Sequence, residues 1–336
     1  PGAVPADAPY IIPGFVDLHV HGGGGFDCMR GEADVRGMAK FHARNGTVAL
    51  CPTTITAPID EIETALNGIS ASVGNPTVDE AEVLGAHLEG PFINPGKLGA
   101  QPDFAIKPDI HLLQTWLDMC PLKVATLAPE IEGAEQAVRL LTTSRCKVQI
   151  GHSLAKYAEC VDALEWGVSG FTHLYNAMSG LDHRDSGVVA CALAKGDWAE
   201  IICDFNHVDK GAIQSAMRAI PHLYAVSDCV EAGGMPDGKY KLGTHEIIKD
   251  GLTARLVDGT LAGSVLTLDK SLANFVELET DFHQSVCRHS SFPAKYLNLS
   301  DYGDLAVGKL ASLLVLNKDL TTTVFMRGKP LEISNT

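Results

Sequence analysis

No Cys-x-x-Cys pair occurs anywhere in the chain, although it carries nine cysteines. The sulfurs are scattered through apolar segments, as at Cys51, Cys120, Cys146, Cys191 and Cys203. That odd, unpatterned set argues against a disulfide framework and leads us to expect reduced, buried thiols in a cytoplasmic protein. Also missing is any apolar run of the roughly 18 residues that a membrane span requires. The N-terminus has no basic stretch leading into an apolar core, so there is no visible secretory signal. Positive charge is in deficit: 26 Lys and Arg stand against 41 Asp and Glu, for a net charge of −15. Non-specific binding to nucleic acid or to an acidic membrane is therefore not expected. A small anionic substrate remains open, because a few local cations can dominate one pocket. There is no low-complexity tract and no sequence repeat.

What is present is a chain of 336 residues, 46% hydrophobic and 20% charged, with a mean hydropathy near zero at +0.08, from which a soluble protein is expected. It is long enough for a large core and too long for one small domain. From Pro13 to about Val230, short β-rich runs alternate with helix-like amphipathic stretches, the pattern of βα units on a parallel sheet. Eight runs read as strands: Phe15 to His21, Thr47 to Thr53, Val83 to Pro91, Lys123 to Pro129, Lys147 to Ser153, Gly170 to Asn176, Glu200 to His207 and Leu223 to Asp228. Helices are expected at Ala33 to Asn45, Asp60 to Val73, Glu132 to Thr143, Ala155 to Trp166 and Lys210 to Ile220. Eight such units imply an α/β fold of the (β/α)8 TIM-barrel type, whose active site forms at the C-terminal ends of the strands.

After Asp228 the pattern changes. A glycine-rich loop at 232–238 precedes three short runs, Tyr240 to Leu242, His245 to Ile248 and Leu252 to Val257, which read as antiparallel hairpin strands. Helical patterns return at Val265 to Leu278 and Phe282 to Leu297, and the chain closes on apolar runs near 303–316 and 322–327. The expected division is a barrel over 13–238 and 260–302. A small β domain would take 1–12, 239–259 and 303–336, completed by strands upstream of position 1.

The strand ends carry the functional signal. His19 and His21 close the first run, and in an extended strand side chains at i and i+2 face the same way, so the two imidazoles can meet one ion. The four glycines after them permit a sharp turn. Taken alone, a His-x-His could be an incidental polar pair in a buried strand. However, Glu89 lies on the third run, His152 on the fifth, His173 on the sixth, His207 on the seventh and Asp228 on the eighth. All are metal-ligand or acid–base residue types gathered at one end of successive strands, which makes a metal site the expectation.

Pro13-Gly14-Phe15-Val16-Asp17-Leu18-His19-Val20-His21-Gly22 resembles the first-strand motif of the amidohydrolase superfamily. More narrowly, His87-Leu88-Glu89-Gly90-Pro91-Phe92, Gly151-His152-Ser153, Thr172-His173-Leu174-Tyr175-Asn176-Ala177-Met178, Asp204 with His207, Ser227-Asp228 and Leu261-Ala262-Gly263-Ser264 resemble the N-acetylglucosamine-6-phosphate deacetylases. The resemblance runs in order along nearly the whole chain. It implies that Glu89, His152 and His173 hold a principal divalent metal, and that His19 and His21 hold a second one which Glu89 bridges. Asp228 matches the catalytic aspartate and counts also among the metal ligands. Ala100, Gln101, Asn176, Ala177, Arg184, Asp204, His207, Leu261, Ala262 and Gly263 match positions that contact the sugar phosphate. The chain departs from the pattern at Gln101, where the family usually has histidine; glutamine can donate a hydrogen bond but cannot become cationic. A homodimer is also implied.

The residues suit amide hydrolysis. A divalent metal lowers the pKa of a bound water to about 7 and polarises a carbonyl, while Asp228 would take a proton from the water and return it to the departing nitrogen. Many members of the superfamily that the chain resembles bridge two metals with a carbamylated lysine at the end of the fourth strand; here the only lysine of that run, Lys123, is at the wrong end, and Glu89 is the available substitute. With no cysteine among the ligands, one or two ions of zinc are expected, with iron, manganese and cobalt as alternatives. Arg184 offers paired donors to a phosphate. The expected reaction converts N-acetyl-D-glucosamine 6-phosphate into D-glucosamine 6-phosphate and acetate. The alternatives are another N-acylated sugar or an N-acyl amino acid as substrate, or a catalytically inactive barrel serving as a binding module.

Overall fold

The computed structural model describes residues 9–278, 281–317 and 322–331. Parts of the expected small β domain, at 1–8, 318–321 and 332–336, lie outside the described residues. Eight parallel strands are found where the alternation places them: Phe15–Val20, Thr47–Pro52, Ala86–Glu89, Leu122–Leu127, Lys147–Ile150, Gly170–Phe171, Trp198–Ile201 and His222–Ala225. The first is buried at every residue, as expected of a parallel strand covered on both faces.

Parallel ladders join the first strand to the second, run from the third to the sixth, and pair the seventh with the eighth. Three sets of backbone contacts close the gaps. Thr53 bridges to His87, Leu174 N–H donates to the Glu200 carbonyl at 2.9 Å, and Asp228 N–H donates to the His19 carbonyl at 2.8 Å. The ring is thereby complete, and the residues that seal it lie beside the expected site.

The helices pack an apolar stripe against this ring. In Glu32–Arg44 the buried set is Val35, Met38, Ala39, His42 and Ala43, spacing that puts all five on one face. Asp109, Asp209 and Asp281 accept hydrogen bonds from backbone N–H groups in the first turns of the helices that follow them, satisfying donors that a helix start leaves free. Two helices absent from the expected set are Ile110–Met119 and Val188–Lys195. The continuous pattern expected from Phe282 to Leu297 divides into Phe282–His289 and Ser291–Tyr296, because Ser290 leaves helical geometry at φ −132° and ψ −76°.

Two small sheets flank the barrel. Tyr10–Pro13 pairs antiparallel with Leu313–Leu316, which pairs in turn with Thr322–Met326. Gly238–Leu242, His245–Asp250 and Thr253–Leu256 form a separate antiparallel sheet. Its inner face, through Leu242, Ile247 and Ala254, packs on Ile55, Val230, Ala232 and Ala262. The sequence grouped this hairpin sheet with the chain ends; among the described residues the two sheets share no strand pairing.

Candidate metal centre

The strands stop earlier than the alternation suggests, and the polar residues begin where they stop. His152, His173 and Asp228 each sit just beyond a strand end with φ of 48°, 28° and 49°. Left-handed backbone costs a non-glycine residue about 1–3 kcal/mol, a strain that persists where the surroundings over-determine it. Here it turns each side chain back across the barrel mouth. The turn after His21 requires glycine for a different reason: a Cβ on Gly22 would lie 2.2 Å from the Phe26 carbonyl oxygen.

Two groups of ligand atoms face each other. In the first, His152 Nε2 and His173 Nε2 lie 3.1 and 3.0 Å from Glu89 Oε1 and 3.1 Å from one another. In the second, His21 Nε2 is 3.1 Å and His19 Nε2 3.5 Å from Asp228 Oδ1, and the two nitrogens are 3.3 Å apart. Glu89 joins the groups, with Oε1 3.5 Å from His19 and Oε2 3.5 Å from His21. All six residues are buried. The expected pairing of Glu89, His152, His173, His19, His21 and Asp228 is thus present as two clusters able to hold metal ions.

Ring orientation follows from what the other nitrogen meets. His21 Nδ1 is 2.9 Å from the Thr53 carbonyl, His152 Nδ1 is 2.9 Å from the Lys97 carbonyl, and His19 Nδ1 is 2.9 Å from Glu200 Oε2. An acceptor at Nδ1 assigns the proton there and leaves Nε2 as a lone pair. The lone pairs of His19 and His21 would then confront each other at 3.3 Å beside Glu89 and Asp228, an arrangement that a divalent cation resolves. The donor set therefore fits a metal.

The electrostatics make the same demand for positive charge. Burial opposes ionisation of Glu89, yet His19, His152 and His173 hold it well below the usual carboxylate range. Against the same burial, the histidines bring Asp228 down to about 2. Burial also opposes protonation of His19, but Glu89, Glu200 and Asp228 push it well up; His21 is raised by Asp228 and Glu89.

A cavity of about 200 Å3 opens above these groups. Ala100, Gln101, Asn176, Ala177, His207, Leu261 and Gly263 line it, along with Leu242 and Thr260 from the hairpin sheet and its following loop. His207 is held by Asp204, whose Oδ2 lies 2.7 Å from Nδ1 and whose Oδ1 accepts the His207 N–H at 2.8 Å. Asp204 is thus brought beside the cavity through His207. Ala262 is buried in the cluster under the hairpin sheet. Arg184 lies on an exposed loop whose backbone turns on Asp182, and it does not line the cavity. Gln101 is buried and both its polar atoms are engaged: Oε1 accepts the Thr56 N–H at 2.6 Å, and Nε2 donates to Glu89 Oε2 at 2.5 Å.

A family model of the amidohydrolase family matches residues 10–336. The chain belongs to the amidohydrolase family. Among curated amidohydrolases, an N-acetylgalactosamine-6-phosphate deacetylase of Escherichia coli O157:H7 is 37% identical over 94% of this chain and 85% of its own length. An N-acetylglucosamine-6-phosphate deacetylase of Lysinibacillus sphaericus is 35% identical, covering 93% and 82%. Among solved structures, N-acetylglucosamine-6-phosphate deacetylase of Mycobacterium smegmatis, a mutant in complex with N-acetyl-D-glucosamine 6-phosphate, is 29% identical. It superimposes with a TM-score of 0.90 over 99% of this chain and 91% of that one.

Glu200 was not read as a site residue from the sequence. It stands at the beginning of the seventh expected run, whereas attention to strand ends selects His207. The inward alternation of a barrel strand was the signal that could have found it.

Proposed function

We propose that this amidohydrolase removes the acetyl group of N-acetyl-D-glucosamine 6-phosphate, giving D-glucosamine 6-phosphate and acetate. The observation that carries the reading is the shared Glu89 between two histidine pairs, with Asp228 facing the same cavity. It is supported by relatives named for this reaction across more than nine-tenths of the chain.

Glu89, His152 and His173 would hold one divalent ion, and His19, His21 and Asp228 a second. An ion there supplies Lewis acidity and an acidic water. Asp228, ionised at any neutral pH, accepts a proton at a carboxylate oxygen and delivers it to the nitrogen that leaves. His207, fixed by Asp204, and the Asn176–Ala177 turn would orient the sugar and its phosphate. Arg184, which lies outside the cavity lining, is proposed as the phosphate contact that the resemblance implies. Zinc is the proposed metal, a homodimer the proposed assembly, and the cytoplasm the proposed compartment; all nine cysteines are free. Among the described residues no helix is long and apolar enough to cross a membrane.

The E. coli relative favours a second substrate, the C4 epimer N-acetyl-D-galactosamine 6-phosphate. The test is acetate release from both 6-phosphates and from unphosphorylated N-acetylglucosamine, in wild type and Arg184→Ala. Preference for a 6-phosphate that weakens in Arg184→Ala is expected. Equal turnover of phosphorylated and free sugar would refute the phosphate reading.

A further inference from the structure

Glu200 is a carboxylate enclosed in the barrel with no exposed surface, and it is the only charged group that meets the far side of a ligand ring among the described residues. Its Oε2 lies 2.9 Å from His19 Nδ1 and accepts the His173 N–H at 3.1 Å. Oε1 accepts from the Tyr224 hydroxyl at 3.4 Å, and that hydroxyl oxygen is itself hydrogen-bonded by Gln149 Nε2 at 2.7 Å. The other rings have weaker support. Backbone carbonyls meet His21 and His152, while the buried Nδ1 of His173 has no hydrogen-bond partner.

His19, His87 and Glu200 also cluster closely enough to suggest a metal position of their own. His87 speaks against it, because both its nitrogens are occupied, by the Leu18 carbonyl at 2.9 Å and the Thr126 hydroxyl at 2.7 Å. The one ligand ring that Glu200 meets is therefore that of His19; its contact with His173 is to the backbone N–H.

We infer that Glu200 is the positioning residue of the His19/His21/Asp228 metal position, holding the His19 ring with Nε2 toward the ion and strengthening it as a donor. The inference rests on the metal-dependent reading of the site. An anion behind an imidazole fixes its tautomer and raises its basicity, and loss of such a partner typically weakens metal binding about 10–100-fold. Among the described residues the Glu89/His152/His173 position has no carboxylate behind its rings, so the two positions should respond differently.

The experiment uses zinc-loaded full-length protein, dialysed against graded chelator, with zinc per chain measured by elemental analysis. Glu200→Gln and Glu200→Asp are compared with wild type and with His19→Gln. Wild type should release its two ions in two steps. Glu200→Gln should release the first at about 10–100-fold lower chelator and leave the second step in place. Adding Glu200→Gln to His19→Gln should change nothing further, since the ring through which it acts is gone. Equal loss of both ions in either Glu200 variant, retention of both, or a wild type that holds one ion throughout would overturn the inference. Acetate release is recorded separately: a selective zinc shift without deacetylation defeats the substrate assignment and leaves the role of Glu200 standing.

Discussion

Gln101 separates two accounts of the cavity wall. Replacing it by methionine keeps the length of the side chain and removes both polar contacts. The lost bond to Glu89 is charge-assisted, a class that contributes about 1.5–3 kcal/mol, and the Thr56 N–H left without an acceptor in a buried setting costs about 1–3 kcal/mol. Partial relaxation brings the expected loss to about 3 kcal/mol. For a chain of 336 residues the unfolding entropy is roughly 0.7 kcal/mol per kelvin, so the melting temperature should fall by about 4 °C. A thermal melt of Gln101→Met beside wild type, as purified and after chelation, measures this. Steady-state kinetics on the 6-phosphate accompany it. If the melting temperature stays within about 1 °C of wild type while KM alone rises, Gln101 touches substrate as its motif position suggested, and the reasoning from its hydrogen bonds is wrong.

Asp228→Asn should lower kcat by about 100–10,000-fold, the range of general acid–base assistance, with an unchanged fold. Asparagine tolerates the φ of 49° found there; a loss smaller than tenfold would remove Asp228 from the proton path. Away from the site, burial holds the His289 imidazole down to about 4 from 6.5, between the Ser285 carbonyl and the Ser271 hydroxyl. The unfolded chain takes up that proton first, so this stability is complete above pH 6.5 and is lost as the pH falls toward 4, by about 3 kcal/mol. Urea unfolding at pH 7 and pH 4.5 should show a shallower pH dependence in His289→Gln than in wild type; identical slopes would refute the assignment.

The barrel was legible because its strands are short apolar runs that end in polar residues of a narrow set of types. Their limits were less so. The sixth strand comprises Gly170–Phe171 alone, since His173 and Ala177 already adopt positive φ, and no alternation announces a left-handed residue. The helix Val188–Lys195 escaped because Val-Val-Ala-Cys-Ala-Leu-Ala has no polar face, and its first five residues are all buried. That six residues of ligand type gather at one end of the barrel was readable from the chemistry of the strand ends. The hydrogen bonds of Gln101, and Glu200 altogether, were not, because what matters for each is which distant neighbour a polar atom meets, at 45 residues' separation for Thr56 and 181 for His19.

The cavity takes its chemical floor from the barrel and part of its roof, Leu242 and Thr260, from the hairpin sheet and the loop beyond it. Their strands pair separately; they meet at the Lys241 N–H donated to Glu231 Oε1 and, beneath the sheet, through apolar contacts on Ile55, Val230 and Ala262. Contacts of that kind are non-directional and accept changes in shape that a ladder of hydrogen bonds would not. Substitutions in the hairpin can therefore alter which acylated sugar is admitted without displacing a single ligand atom. The barrel thus carries the reaction and most of the cavity wall, while one part of that wall belongs to a piece of the chain that can change shape apart from it.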